Sequence, residues 1–290
     1  MHTRYWTTLI SAPDLNERLH DGHLVIVDCR FELGKPNSQA GLNAYRTAHI
    51  TGAVYAHLDD DLAGAITSTS GRHPLPNIDA LSKTFSRWGI DSQVQVVAYD
   101  ADSGAMAAAR LWWLLRWLGH THVAVLDGGF KHWQASGLPV TSSEFVAAPR
   151  LFTATVDSSL VVDADFVATH AQQHDWRVVD ARAPERYAGE VEPLDPVAGH
   201  VPGAINHPFA RNLGSDGRFL DATILQTQFK KLTNDTAPNH IINMCGSGVT
   251  ACHNVLAMEV AGLHGVKLYA GSWSEWSKDT QRPVATGHQP

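Results

Sequence analysis

"HIINMCGSGVTACHNVLAME", residues 240–259, decides the fold. A short apolar run ends at a cysteine, a glycine-rich loop follows, and a helical pattern begins. The helix is expected to start near residues 249–251 and to run to about Ala261, with Gly262 just beyond as its stop. Short apolar runs of this kind suit strands covered on both faces by helices, as in a parallel sheet. In open sheets of that type, sites form beyond the carboxyl ends of strands, and Cys245 stands at such an end.

Working outward, the same alternation recurs. "LVIVD" (24–28), "VQVVAY" (94–99), "VAVLD" (123–127), "RVVD" (177–180) and "VKLY" (266–269) read as buried strands. Between them lie periodic segments such as "GAMAAARLWWLLRWL" (104–118), closed by Gly119. The expectation is an α/β protein with mainly parallel sheets flanked by helices on both faces.

The chain also resembles itself. "LVIVDCR" (24–30) answers to "WRVVDAR" (176–182), and "AHITGAVYAHLDDDL" (48–62) to "GHVPGAINHPFARNL" (199–213). "VQVVAYDADSGAMAAARLWWLL" (94–115) answers to "NHIINMCGSGVTACHNVLAMEV" (239–260), and "LDGGFKHW" (126–133) to "YAGSWSEW" (269–276). The order is kept and the period is domain-sized, too long for a solenoid unit. A duplicated domain is expected: residues 1–143, a linker over 144–156 where small and polar residues gather, and residues 157–290.

Composition narrows the function. The 290 residues are 44% hydrophobic with a net charge of −7. A chain this acidic lacks the basic face that a nucleic-acid binder needs. No secretory leader is evident at the N-terminus, and no apolar run approaches the roughly 18 residues of a membrane helix, so a cytoplasmic location is expected. Three cysteines make no disulfide framework, and the 17 histidines show no HExxH spacing, so no metal site is expected.

The cysteine loop carries the chemistry. The first N–H groups of a helix have no intrahelical partner and bear partial positive charge. Gly246 and Gly248 let successive N–H groups surround one centre, an anion nest. A cysteine in that position gains thiolate character, and the thiolate is the nucleophile of covalent catalysis. The competing reading makes Cys245 a small buried hydrophobe, as free cysteines often are. Cys252 shares a helix face with Val255, Leu256 and Val260 and reads as core, as does Cys29. The first half has Asp100 at the position of Cys245, so that half is expected to be non-catalytic.

With these motifs, "CGSGVTA", "DAR…ERY.GE", "GH.PGA" and "GS..EW", the chain resembles the tandem rhodanese-type sulfurtransferases, and its loop resembles the 3-mercaptopyruvate branch. The resemblance spans nearly the whole sequence. It implies two rhodanese-like domains and a cysteine that cycles through a persulfide, with no metal or organic cofactor. It implies Cys245 as nucleophile, and the amides of Gly246, Ser247, Gly248, Val249, Thr250 and Ala251 as the cradle of the outer sulfur. Arg186 would hold the anionic end of the donor, since a guanidinium matches a carboxylate as a fork. Ser247, His73 and Asp61 would relay a proton. Taken alone, His73 reads as a loop histidine and Asp61 as a helix cap. Asp180 and Arg182 read as an internal ion pair that shapes the pocket.

The resemblance departs at Asp195, where a second substrate arginine is expected. Thiosulfate-specific relatives lack that arginine too, but carry basic residues after the cysteine, and "CGSGVTA" has none. The expected activity is transfer of sulfane sulfur from 3-mercaptopyruvate to a thiol, a thioredoxin-like acceptor or cyanide. Thiosulfate is the alternative donor, and a persulfide carrier the non-enzymatic alternative. An arginine restored at position 195 is expected to sharpen selectivity for mercaptopyruvate. A cysteine phosphatase would need an arginine six positions after the cysteine, where this chain has Ala251.

Overall fold

The computed structural model describes residues 5–32 and 39–290, and the chain divides into two compact units. The first holds the described residues up to Gly64 together with Pro76–Asp157 and Ser215–Phe219. The second holds Ala65–Leu75, Ser158–Gly214 and Leu220–Pro290. The repeat predicts each domain as one unbroken stretch, whereas each unit takes in a short segment from the other half of the chain. Residues 65–75 belong to the second unit for local reasons. Arg72 N–H donates to Ser274 Oγ at 3.0 Å, and Lys278 Nζ donates to the Ser70 carbonyl at 2.6 Å.

In the first unit, strands β1 (Leu9–Ile10), β2 (Leu24–Asp28), β3 (His49–Ile50), β4 (Ala53–Tyr55), β5 (Gln95–Tyr99), β6 (Val123–Leu126) and β7 (Val140–Thr141) form two sheets. The main sheet is parallel throughout, in the order β1-β6-β5-β2-β4, and β3 pairs with β7 antiparallel. Its helices are α1 (Ala12–Asn16), α2 (Ala40–Thr47), α3 (Leu58–Asp61), α4 (Ile78–Arg87), α5 (Ala107–Trp117) and α6 (Gly129–Ala135). The starts of α1 and α4 are set by Ser11 and Asn77, whose side chains accept from N–H groups of the first turn.

The second unit has β8 (Val161–Val162), β9 (Arg177–Asp180), β10 (Ala204–Asn206), β11 (Ile241–Met244) and β12 (Lys267–Tyr269) in one parallel sheet, ordered β8-β12-β11-β9-β10. Its helices are α7 (Ala164–His170), α8 (Pro184–Tyr187), α9 (Ala222–Thr233), α10 (Thr250–Val260) and α11 (Ser272–Trp276). Strand by strand this is the topology of the first unit. Each unit is thus an α/β domain with a five-stranded parallel sheet.

The repeat holds at the level of side chains. Arg30 pairs with Asp28 at 2.6 Å, and Arg182 with Asp180 at 2.7 Å. His49 stacks on Tyr45 and His200 on Tyr187, both at 3.8 Å between ring centroids. Arg30 lies over the Phe130 ring and Arg182 over the Trp273 ring. The helix after the central strand is buried in both units: every residue of α5 except Arg116, and Ala251 to Met258 of α10. Helices this rich in apolar residues need such cover, and a buried polar side chain such as Asn254 finds its partners inside, with Asn212 and the His207 carbonyl. That burial anchors α10 and so fixes the loop in front of it.

Candidate active site

β11 ends at Met244, and Cys245 to Val249 turn the chain into α10. The turn rests on Gly248, which has φ of +76° and whose missing Cβ would press on the Ala270 carbonyl oxygen. Only glycine adopts that conformation in that space without strain. Gly248 N–H then lies 3.2 Å from Cys245 Sγ. This cradle amide is thus in hydrogen-bond contact with the sulfur. Val249 and Ala251 are buried and Thr250 is half-buried at the helix start.

The loop is held from α11. Cys245 N–H donates to Ser272 Oγ at 3.0 Å, and Ser272 Oγ donates to the Tyr269 carbonyl at 2.9 Å. Trp273 and Ser274 N–H donate to the Cys245 and Gly246 carbonyls at 3.0 and 2.8 Å. Ser272 takes φ of +54°, unusual for a residue with a side chain and costing roughly 1–3 kcal/mol. Cys245 is 2% exposed.

His73 Nδ1 lies 2.7 Å from Ser247 Oγ, so the structure brings this expected pair together. Asp61 lies in the first unit, at the end of α3. There its carboxylate accepts from His57 N–H at 2.9 Å and from Arg87 at 3.1 Å, the bonds of a helix cap and an ion pair. Burial pushes the Asp61 carboxyl above the usual carboxylate range, while the His57 N–H and Arg87 pull it back.

Arginines gather above the loop. A Cβ on Gly246 would lie 3.0 Å from Arg72 Nη2 and 3.5 Å from both terminal nitrogens of Arg186. Arg186 Nη2 donates to Glu192 at 2.7 and 2.9 Å and lies 3.5 Å from Asp195 Oδ2. Asp195 also forms an ion pair with Arg72. Arg182 is tied to Asp180 and lies 3.4 Å from Glu192. Arg72, Arg182 and Arg186 thus face Asp180, Glu192 and Asp195, three cations against three anions. Burial pushes the Asp195 carboxyl up, and Arg72 draws it back. The Asp195 side chain is buried and paired with the Arg72 and Arg186 guanidinium groups, so an arginine placed there would meet two like charges.

Cys29 and Cys252 are fully buried, as expected of core residues. Cys252 Sγ donates to the Gly248 carbonyl at 3.3 Å, which ties helix to loop. In the first unit the Asp100 carboxylate takes the place of the sulfur and accepts from Gly104 and Met106 N–H at 2.8 and 3.0 Å. Its loop is filled by its own side chain. Among the described residues no cluster of three or more His, Cys, Asp or Glu is arranged to hold a metal ion, and no helix is long and apolar enough to cross a membrane.

Sequence reasoning missed Arg72, Glu192 and Ser272. Arg72 was visible only as the neighbour of His73 in "SGRHPLP", and Ser272 only as the residue after Gly271 in a strand-end turn.

Known proteins share this architecture. The family model described as "Rhodanese-like domain" matches residues 11–136 and again 163–279. A Pseudomonas aeruginosa protein named as a probable 3-mercaptopyruvate sulfurtransferase is 46% identical over 96% of this chain and 98% of its own length. The thiosulfate sulfurtransferase of Cricetulus griseus is 33% identical over 95% of this chain and 94% of its own. The solved structure of SseA from Escherichia coli, described as a 3-mercaptopyruvate sulfotransferase, aligns with a TM-score of 0.80 at 28% identity, covering 93% of this chain and all of its own. With matching sheets in both units and a family match in each half, the chain belongs to the rhodanese-like family and carries two copies of its domain.

Proposed function

We propose that this sulfurtransferase takes sulfane sulfur from 3-mercaptopyruvate onto Cys245 and passes it to a thiol, a thioredoxin-like acceptor or cyanide. The observation that carries the reading is the Gly248 N–H at 3.2 Å from Cys245 Sγ, in a loop overhung by two guanidinium groups. The Cys245 thiolate attacks the donor sulfur. The C–S bond breaks, its electron pair passes to the pyruvate carbanion as an enolate, and the cysteine becomes Cys–S–SH. A proton reaches that carbon through Ser247 and His73, 2.7 Å apart, and pyruvate leaves. An acceptor thiolate or cyanide then attacks the outer sulfur and releases the cysteine. The cradle of Gly246 to Ala251 holds that sulfur, and Arg186 holds the donor carboxylate.

The charge balance at the mouth favours mercaptopyruvate over thiosulfate. Three arginines already matched by three carboxylates leave little excess field for a dianion. The test is intact-mass analysis after donor treatment. Wild-type protein should gain one sulfur atom at Cys245 and release pyruvate, and Cys245→Ser should do neither. A Cys245→Ser protein with undiminished turnover would overturn the mechanism.

A further inference from the structure

We propose that His207, Asn212 and Asn254 form a buried ring that positions Cys245: the ring sets where α10 stands against the end of β11, and so keeps the Gly248 N–H on the sulfur. The inference rests on Cys245 as the reactive thiol and is independent of the donor.

Asn212 and Asn254 are fully buried and His207 is 4% exposed. Asn254 Nδ2 donates to the His207 carbonyl at 3.0 Å, and Asn212 Nδ2 donates to Asn254 Oδ1 at 2.7 Å. Asn212 Oδ1 closes the ring, 3.0 Å from His207 Nε2. One fixed acceptor orders every member. The His207 carbonyl can only accept, so Asn254 turns its nitrogen to it and its oxygen to Asn212. Asn212 then offers its nitrogen to Asn254 and its oxygen to His207, whose Nε2 carries a proton and donates. Asn212 Nδ2 also lies 3.1 Å from His253 Nδ1, which accepts. A closed polar ring has one satisfied arrangement, whereas an apolar helix face tolerates small rotations and slides.

The ring ties both ends of the cysteine loop to one place. Ala181 N–H donates to the carbonyl of Met244, the residue before the cysteine, at 2.9 Å. His207 N–H donates to the Asp180 carbonyl at 2.9 Å. The carboxyl end of β9 thus grips the entrance of the loop directly and its exit through His207, Asn212 and Asn254. Cys245 to Val249 span the gap between these anchors. A shift of α10 would therefore lengthen the 3.2 Å contact between Gly248 N–H and Cys245 Sγ.

The first unit is the internal comparison. In the repeat His207 answers to Ala56 and Asn212 to Asp61. Asn254 is the fifth residue of α10, and the fifth residue of α5 is Leu111. Ala56 and Leu111 have no polar side-chain atom, so that unit cannot build the ring. The Asp–Arg pair and the His–Tyr stack are common to both units, but the ring stands only behind the loop that carries a cysteine.

The experiment follows alkylation of Cys245 by iodoacetamide in the full chain, read by peptide mass, at neutral pH and at a pH that ionises any free thiol, beside the urea unfolding midpoint. Asn254→Leu gives α10 the residue of α5. It should slow alkylation about 3- to 10-fold at neutral pH and leave it at the wild-type rate in alkali, because the thiolate has lost part of a charge-assisted bond. Asn212→Leu should do the same from the other side of the ring, and the double variant should be no slower than the worse single one. The double variant removes both amides together and should regain part of the midpoint, which covers the case in which a single variant does not fold. Val167→Ala, buried in α7, controls for lost stability alone and should alkylate as wild type. If the double variant regains wild-type alkylation along with its midpoint, or if Val167→Ala slows alkylation as much at an equal loss of midpoint, the ring is only structural and the proposal is overturned. Faster alkylation at both pH values overturns it as well, since it marks an opened loop. If Cys245 of the wild-type protein alkylates no faster at neutral pH than the buried Cys29 and Cys252, the reactive-thiol reading itself falls, and this inference with it.

Discussion

Replacing Gly248 by alanine tests the loop geometry most directly. The residue has φ of +76°, where a side chain costs roughly 1–3 kcal/mol. The new Cβ would also meet the Ala270 carbonyl, a backbone atom just beyond β12 that cannot swing aside, and such overpacking adds about 1–3 kcal/mol. Gly248→Ala should therefore lose roughly 2–6 kcal/mol, a large share of the ~5–15 kcal/mol that holds a typical protein folded. Relief of the clash moves the N–H away from Cys245 Sγ. A hydrogen bond to a charged group contributes about 1.5–3 kcal/mol, so kcat/KM should fall about 10- to 150-fold. Gly246→Ala is the control, because its Cβ meets only the tips of Arg72 and Arg186 and its φ is ordinary. It should stay within ~0.5 kcal/mol of wild type in stability while raising KM for the donor. Urea unfolding at constant m-value and single-turnover pyruvate release measure the two effects. A Gly248→Ala protein with wild-type midpoint and wild-type turnover would refute the reasoning.

Further expectations follow from the same geometry. His73→Gln and Ser247→Ala should each slow pyruvate release by roughly 100-fold, and the double variant should be no slower than the worse single one, because the pair acts as a unit; additive losses would separate them. Asp195→Arg should weaken donor binding at least ~10-fold or destabilise the protein, since it sets a third guanidinium between two others; improved selectivity for mercaptopyruvate would contradict the packing. In the first unit two buried groups oppose one another as pH falls. Burial holds the His120 imidazole down to about 4, so the unfolded chain takes that proton first and stability drops between about pH 6.5 and 4, by up to ~3 kcal/mol. Burial raises the Asp100 carboxyl to about 6, so the native state takes this proton first and gains a similar amount between about pH 6 and 4. His120→Phe should flatten the acid loss and Asp100→Asn should steepen it, as measured by unfolding midpoints across that range; identical slopes in both variants would sink the assignment.

The fold was legible because its signals are local. "LVIVD" and "RVVD" are apolar runs bounded by polar residues, and the glycines after α5 and α10 mark their ends. The cysteine loop was legible for the same reason, since strand end, two glycines and helix start are contiguous. Arg72 and Asp195 were not, because their meaning lies in a contact between positions 123 apart. No periodicity marks an arginine in a loop or an aspartate beneath it. In the sequence, position 195 stands out only as the place where the resemblance expects an arginine, whereas its burial and its two cationic neighbours are visible in the structure alone. Ser272 escaped for a related reason, because a positive φ on a serine leaves no trace in composition.

The exchange of short segments between the halves bears on how such a protein can be dissected. A gene cut within residues 144–156 would encode a second half that keeps Cys245, Ser247 and Arg186 and loses Arg72 and His73, which belong to its unit but not to its stretch of sequence. The first half would in turn lose Phe219, whose N–H is held by Asp127 at 2.9 Å. Neither fragment inherits a whole unit. Each unit therefore needs the whole chain to be complete, the one that carries Asp100 in place of the cysteine as much as the other.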